Sequence, residues 1–402
     1  MAITETSEVR DGEDAAPGVE LDPNSPDFRR DPYPTYERLR NECPVAHSDQ
    51  FGGFWMLSRY NDVKDVARNP ELFTSRQGIT LPPAGNPMPF MPIELDPPEH
   101  TKYRRALQAW FSVRAMEKLE PRIREIVVEL IDEIAPRGEA DLAEAVAAPV
   151  PPIVIALLLG LPQGDWPRFR ELGDDMIAAA EVEDQQRGAV CAMELLTYLN
   201  AQIDDRRSNP ADDMLTRMLA IEIDGEPIPS ESVLALAFFL LMAGHETTIG
   251  GISMMLMHVA KNPGVKQRLI DDPTLVEKAV EEALRFEPPV QSLARTVARD
   301  VTVGGVDLAE GDRLVLSWAS ANRDSTVFAD ADQFVLDRAR NPHVAFGDGI
   351  HRCLGASLAR LEMRVVLQEV LKRIPNYTIT DEAEIVIGGY LARHVTRLPV
   401  RW

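Results

Sequence analysis

Cysteine is scarce in this chain. The 402 residues hold three, Cys43, Cys191 and Cys353, an odd number set far apart. No disulfide framework and no zinc-ligand spacing fits them, so a reducing, cytoplasmic compartment is expected. Positive charge is also short: 42 Lys and Arg stand against 64 Asp and Glu, a net of −22. That argues against nucleic acid or an anionic membrane as a general partner, while leaving room for a local basic patch. No apolar signal or anchor opens the N-terminus. The most apolar run, Val233 to Gly244, is interrupted by His245-Glu246 before it could span a bilayer. Internal repeats are not evident, and no composition shift marks a boundary. Residues 1–26 are polar and acidic, with Pro17, Pro23 and Pro26, and are expected to be disordered. Residues 27–402 are expected to form one domain.

What the chain does have is helical periodicity. A short helix over 32–45 is entered through prolines, a hairpin is expected at Phe54–Leu57 and around Arg59, and a helix follows at 61–69. Residues 78–98 contain seven prolines yet carry Ile79, Met88, Phe90, Met91 and Ile93. A long apolar loop of that kind suits a lid or binding segment. Helical patterns continue over 100–134 with a break near Ser112, over 141–159 broken at Pro149–Pro152, and over 165–181 and 187–207. The longest covers 231–261, about 45 Å at 1.5 Å per residue. Two more follow at 264–271 and 274–287. Strands are expected within 295–318, with turns at Gly304-Gly305 and Glu310-Gly311, and a hairpin near Gly388-Gly389. Helices outnumber strands, which makes the chain a mostly helical α+β protein with small peripheral sheets and a long central helix.

Residues 346–360, FGDGIHRCLGASLAR, organise the rest. Cys353 sits where a glycine-punctuated loop meets a helical pattern continued by Leu358, Leu361, Val365 and Leu371. The unpaired N–H groups at such a junction favour thiolate over thiol. Glycines on both sides allow close approach of a large flat ligand, whose edge Phe346 could cover. The residues alone give an activated thiolate near such a ligand; a buried core cysteine is the plainer alternative.

The central helix carries AGHETT at 243–248. Phe239, Met242, Ala243, Glu246, Thr247 and Gly250 share a face at steps of three and four. Thr247 could bond back to the carbonyl of Ala243, loosening the helix beside an acid–alcohol pair. A zinc-protease motif would need a second histidine at 249, where Ile249 stands. Alone, the segment reads more simply as a core helix with a satisfied polar kink.

Phe346, Gly349, Cys353 and Gly355 fit F-x-x-G-x-x-x-C-x-G, and with AGHETT the chain resembles the cytochrome P450 family of haem-thiolate monooxygenases. The resemblance runs from about Asp31 to Trp402, with no departure at a motif position. It implies haem b with Cys353 as axial ligand, in a site that includes Phe346 and Gly355. It implies that Glu246 and Thr247 guide protons to dioxygen. His100 and Arg104 (in DPPEHTKYRR), Arg295 and His351 match positions that bind the haem propionates. Glu282 and Arg285 of E-x-x-R, with Arg338, match a structural network behind the haem.

The implied activity is insertion of one oxygen atom from O2 into a C–H bond of an apolar, small-to-medium organic substrate. Electrons would come from a separate ferredoxin and ferredoxin reductase, with NAD(P)H as ultimate donor, since the chain has no flavin or iron–sulfur motif and no spare length for a reductase domain. An acidic ferredoxin would dock near the cysteine loop, helped by Arg352 and Arg360. Pocket candidates are Met88, Ile93, Met242, Ala243, Leu293 and Leu391. A monomer without a membrane anchor is expected. Two alternatives remain at this point, a haem-thiolate peroxygenase or coupling enzyme and a non-catalytic haem-binding protein.

Overall fold

The computed structural model describes residues 21–82 (Asn24 excepted), 88–181, 184–389 and 392–402, with the backbone of Thr4 and Glu5. Most of the segment expected to be disordered, 1–3 and 6–20, lies outside the described residues. Within the same stretch Leu21 is buried, and its carbonyl accepts from Ser48 Oγ at 2.6 Å. The described residues fall into two compact units. One draws on Met1–Ala84, Ile93–Glu99 and Leu284–Cys353; the other on Gly85–Pro92, His100–Ala283 and Leu354–Trp402.

The first unit is built on a five-stranded sheet. Its strand order is Val45–Ser48, Phe54–Leu57, Arg313–Ser317, Ser292–Val297, Phe73–Thr74. Arg313–Ser317 runs parallel to Phe54–Leu57 and antiparallel to Ser292–Val297. Successive side chains of a strand point to opposite faces, so both faces of this central strand must be apolar. Leu314 and Leu316 enter one core with Leu57, Val297 and Phe73, while Val315 enters another with Phe54, Met56 and Ala294. Helix Tyr60–Ala67 covers the first of these cores through Tyr60, Val63, Val66 and Ala67. The hairpin lies earlier than the sequence suggests. Phe54–Leu57 pairs with Val45–Ser48 across a turn that holds Gly52 and Gly53, both at positive φ, and not with a strand around Arg59.

The second unit is helical. Its helices include Glu120–Ile134, Val150–Leu159, Trp166–Glu181, Gln185–Ser208, Ser230–Ala243, Glu246–Lys261 and Ala356–Arg373. Two corrections apply. Residues 143–147 form a π-helical turn, and the break expected at Pro149–Pro152 falls at Ala148-Pro149, with Pro151 and Pro152 inside the first turn of Val150–Leu159. A proline there forgoes only N–H groups that a helix start leaves unpaired. The long central helix is two helices, Ser230–Ala243 and Glu246–Lys261, separated at Gly244-His245. Glu246–Lys261 packs against Ala356–Arg373 and is buried on nearly every face. A helix apolar all round belongs inside a core. Small sheets edge the unit: Glu139–Asp141, Pro399–Arg401 and Thr378–Ile379 form one, and Val386–Gly388 pairs with His394–Arg397 in another.

Candidate active site

The cysteine loop belongs to the first unit and is shaped by its glycines. Gly347 and Gly349 both hold φ +69, a left-handed conformation that side chains resist. At Gly349 space is the stricter demand, since a Cβ would stand 2.2 Å from the carbonyl oxygen of Ala67. The loop therefore docks directly on the end of helix Tyr60–Ala67. Asp348 reinforces the contact, with Arg68 at 3.0 Å and Lys64 at 3.8 Å. The Cys353 amide donates to the Phe346 carbonyl at 2.8 Å, which closes the loop and leaves the cysteine side chain exposed. Cys43 and Cys191 differ: both are buried, and burial pushes their thiols up. Helix Ala356–Arg373 begins three residues beyond Cys353, after Gly355, so the cysteine is not in its first turn.

The same unit holds two of the four residues expected at haem propionates. His351 Nε2 lies 3.2 Å from Ser75 Oγ. The Ser75 amide donates to Asp96 at 3.1 Å, and the Thr74 hydroxyl donates to the same carboxylate. This Ser75–Asp96 support was not read from sequence; only the pairing of strand Phe73–Thr74 brings it to the loop. Arg295 lies inside strand Ser292–Val297 at 3% exposure. Its Nη1 donates to the Ala294 carbonyl at 2.7 Å. Burial lowers its pKa to about 10; the Asp96 charge opposes that shift and Arg313 adds to it. A guanidinium so deeply desolvated is a natural partner for an anion. An exposed thiol on a glycine loop and a buried cation in one unit fit haem, a flat ligand with an iron and two carboxylates.

The second unit carries the other group. Thr247 Oγ1 donates to the Ala243 carbonyl at 3.0 Å, the back-bond expected from sequence, and it sits at the observed helix break. Glu246 is buried and Thr247 half-buried. His100 is buried on helix Glu99–Gln108, with Arg104 half-buried one turn later. Met88, Met242 and Ala243 are half-buried. Phe90, from the proline-rich loop, packs on Phe239 and Phe238, with ring centroids 5.0 and 6.3 Å apart. Ile93 and Leu293 are half-buried in the first unit, and Leu391 lies outside the described residues.

Arg285 is fully buried and donates to the carbonyls of Asn322, Ala331 and Gln333 at 3.0, 2.7 and 2.8 Å. Arg338 donates to Asp330 and also to Gln333, at 2.7 and 3.2 Å. The two arginines thus share the Gln333 carbonyl. Glu282 is buried one turn before Arg285. Arg352 is exposed, whereas Arg360 forms a two-pronged pair with Glu281 at 2.6 and 2.9 Å.

Comparison with known proteins gives a consistent result. The family profile described as Cytochrome P450 matches residues 152–376. The putative cytochrome P450 YjiB of Bacillus subtilis is 36% identical over 368 residues, 89% of this chain and 92% of its own length. Cytochrome P450 130 of Mycobacterium tuberculosis is 35% identical, covering 92% of this chain and 95% of its own. The crystal structure of CYP109E1 from Bacillus megaterium in complex with testosterone superposes with a TM-score of 0.85 at 31% identity, covering 93% of this chain and 98% of that one.

Proposed function

The chain belongs to the cytochrome P450 family, oxidoreductases of the monooxygenase type that bind haem b through a cysteine thiolate, and from that premise we propose that Cys353 is the thiolate holding the iron. One observation carries the assignment: of the three cysteines, Cys353 alone is exposed, at the end of a loop that Gly349 seats against backbone. The haem, when bound, supplies dioxygen activation and insertion of an oxygen atom into a C–H bond.

The chain's own residues bind, orient and move protons. Arg295 and His351, with His100 and Arg104, hold the propionates, and Ser75 orients His351. Phe346 and Gly355 flank the ligand. Thr247 passes protons through its hydroxyl, and the buried Glu246 supplies them. We assign substrate contact to Met88, Ile93, Met242, Ala243, Leu293 and Leu391, whose apolar side chains suit an apolar organic molecule of small to medium size. The testosterone complex of CYP109E1 is in keeping with that class. Electrons come from a ferredoxin and its reductase, with NAD(P)H as donor. We place the protein in the cytoplasm as a monomer, with 27–402 as one functional domain. Ser230–Lys261 has the length and composition to cross a membrane, but 67% of its most apolar window is buried within the second unit.

Two measurements test the reading. Reduced wild-type protein with carbon monoxide should give the strongly red-shifted band of a thiolate-bound haem, and Cys353→Ser should lose both that band and turnover. Retention of the band in Cys353→Ser would remove the assignment. A screen of apolar compounds for a spin-state shift then defines the substrate class.

A further inference from the structure

The break in the central helix is held from two sides. Gly244 faces helix Val150–Leu159, where an added Cβ would stand 2.8 Å from Ile155 Cδ1. His245 faces helix Trp166–Glu181. A Cβ on Gly173 would stand 2.7 Å from His245 Cε1 and 3.3 Å from Nε2, so the imidazole rests on the Gly173 backbone. The ring is 3% exposed, and its Nε2 makes no hydrogen bond with the described residues. Nε2 stands 3.9 Å from Asp174 Oδ1, just beyond bonding distance. Asp174 in turn lies 3.4 Å from Arg170 Nε, and Arg170 grips Glu144 of the π-helical turn at 3.0 and 3.3 Å. A charged chain thus runs from Glu144 through Arg170 and Asp174 to the helix break.

Packing alone does not account for a histidine here. A buried polar nitrogen without a bond costs about 1–3 kcal/mol, which an apolar ring of similar size would avoid. The residues next in sequence are Glu246 and Thr247. The His245 carbonyl accepts from the Ile249 amide at 3.0 Å, the first bond of the following helix. The His245 backbone is thus part of the first turn of that helix, and a shift of the seated residue moves the helix start with it.

We infer that His245 is a positioning residue. Seated on Gly173 and drawn toward the Asp174 carboxylate, it fixes the helix break and ties the orientation of Glu246 and Thr247 to helix Trp166–Glu181. The inference rests on the proposed role of Glu246 and Thr247 in proton delivery.

The test compares holoenzyme variants supplied with ferredoxin, reductase and NADH. The probe is the compound giving the largest spin-state shift in the screen above. Product formed per NADH consumed and peroxide released are measured together. Thr247→Ala serves as the reference for failed proton delivery. His245→Phe keeps the ring's bulk and should lower coupling several-fold, with the carbon monoxide band intact and probe affinity within about twofold. His245→Gln, whose amide nitrogen can reach Asp174, should recover most of the coupling. Asp174→Asn at a half-exposed site and Gly173→Ala should each uncouple in the same direction, and they report even if His245→Phe folds poorly. A structural role would be served by Phe at least as well as by Gln. Wild-type coupling in His245→Phe, or Gln no better than Phe, overturns the inference while Thr247→Ala still uncouples. Full coupling in Thr247→Ala overturns the proton-delivery reading itself.

Discussion

Arg295 shows how one residue can oppose stability and serve binding. Its strand is half of the sheet's central pairing, and its charge is desolvated enough to bring its pKa to about 10. Removing such a charge relieves a cost in the ligand-free protein but removes a charge-assisted bond to an anionic ligand. Arg295→Met should therefore leave the apoprotein's melting temperature equal or higher, while haem affinity falls about 10- to 100-fold, the equivalent of about 1.5–3 kcal/mol. Haem transfer to a scavenger protein measures the second effect, and unchanged retention would contradict the propionate assignment. Glu362 gives a pH-dependent counterpart. It is 1% exposed on helix Ala356–Arg373, and burial alone pushes its carboxyl well above the ordinary 4.5. The folded state keeps a proton that the unfolded chain releases above that value. Its contribution is thus complete below 4.5 and is eroded as pH rises toward the folded-state value. Glu362→Gln, neutral and similar in shape, should gain on the wild type as pH rises from about 4.5, by at most about 1.4 kcal/mol per pH unit. Urea unfolding at pH 5, 6, 7 and 8 checks this; a constant offset between the two proteins would show that the carboxyl does not hold its proton.

At the scale of elements, what was legible in the sequence had a local cause. The apolar period placed most helices, and turn residues such as Gly304-Gly305 and Glu310-Gly311 placed the strands within 295–318. The Thr247 back-bond was legible because it spans only four residues. Features fixed by distant neighbours were not. The helix break needs Ile155 and Gly173 to be seen, and the partner of strand Phe54–Leu57 was misplaced because its turn is built by two positive-φ glycines rather than by the polar Ser58-Arg59. His351, Cys353 and Arg295 were read through family motifs, yet Ser75 and Asp96, which support His351, carry no local signal. Gly349 combines both kinds of cause. Its place in the motif is visible, but the reason for it, the Ala67 carbonyl, is not. Gly349→Ala meets that oxygen at 2.2 Å and also demands a left-handed alanine. Backbone must move, so the loop should lift from helix Tyr60–Ala67. The expected outcome is a folded protein that purifies with little haem, its stability lowered by about 1–3 kcal/mol. Normal haem content in Gly349→Ala would show that the loop's seating does not govern ligation.

For the whole molecule the governing quantity is charge. At −22 the protein repels an acidic ferredoxin at long range, and only short-range cations can reverse that near contact. Of the two arginines considered for docking, Arg352 is exposed, and Arg360 is half-buried and paired with Glu281. The two forces differ in reach, so salt separates them. At about 0.01 M ionic strength the screening length is about 30 Å, and the net charge dominates the approach. Near 0.1 M it falls to about 10 Å, which removes most of the repulsion but spares a pair in contact. Near 1 M, at about 3 Å, the local attraction is weakened too. Electron transfer from an acidic ferredoxin should therefore rise and then fall with salt. Arg352→Glu should lower the maximum and raise the apparent KM for ferredoxin several-fold, with the carbon monoxide band unchanged. Arg360→Glu should act mainly through stability, because it leaves Glu281 facing a like charge. Stopped-flow reduction across the salt series distinguishes these outcomes. A rate that falls steadily with salt, and is indifferent to Arg352→Glu, would mean that another surface receives the donor.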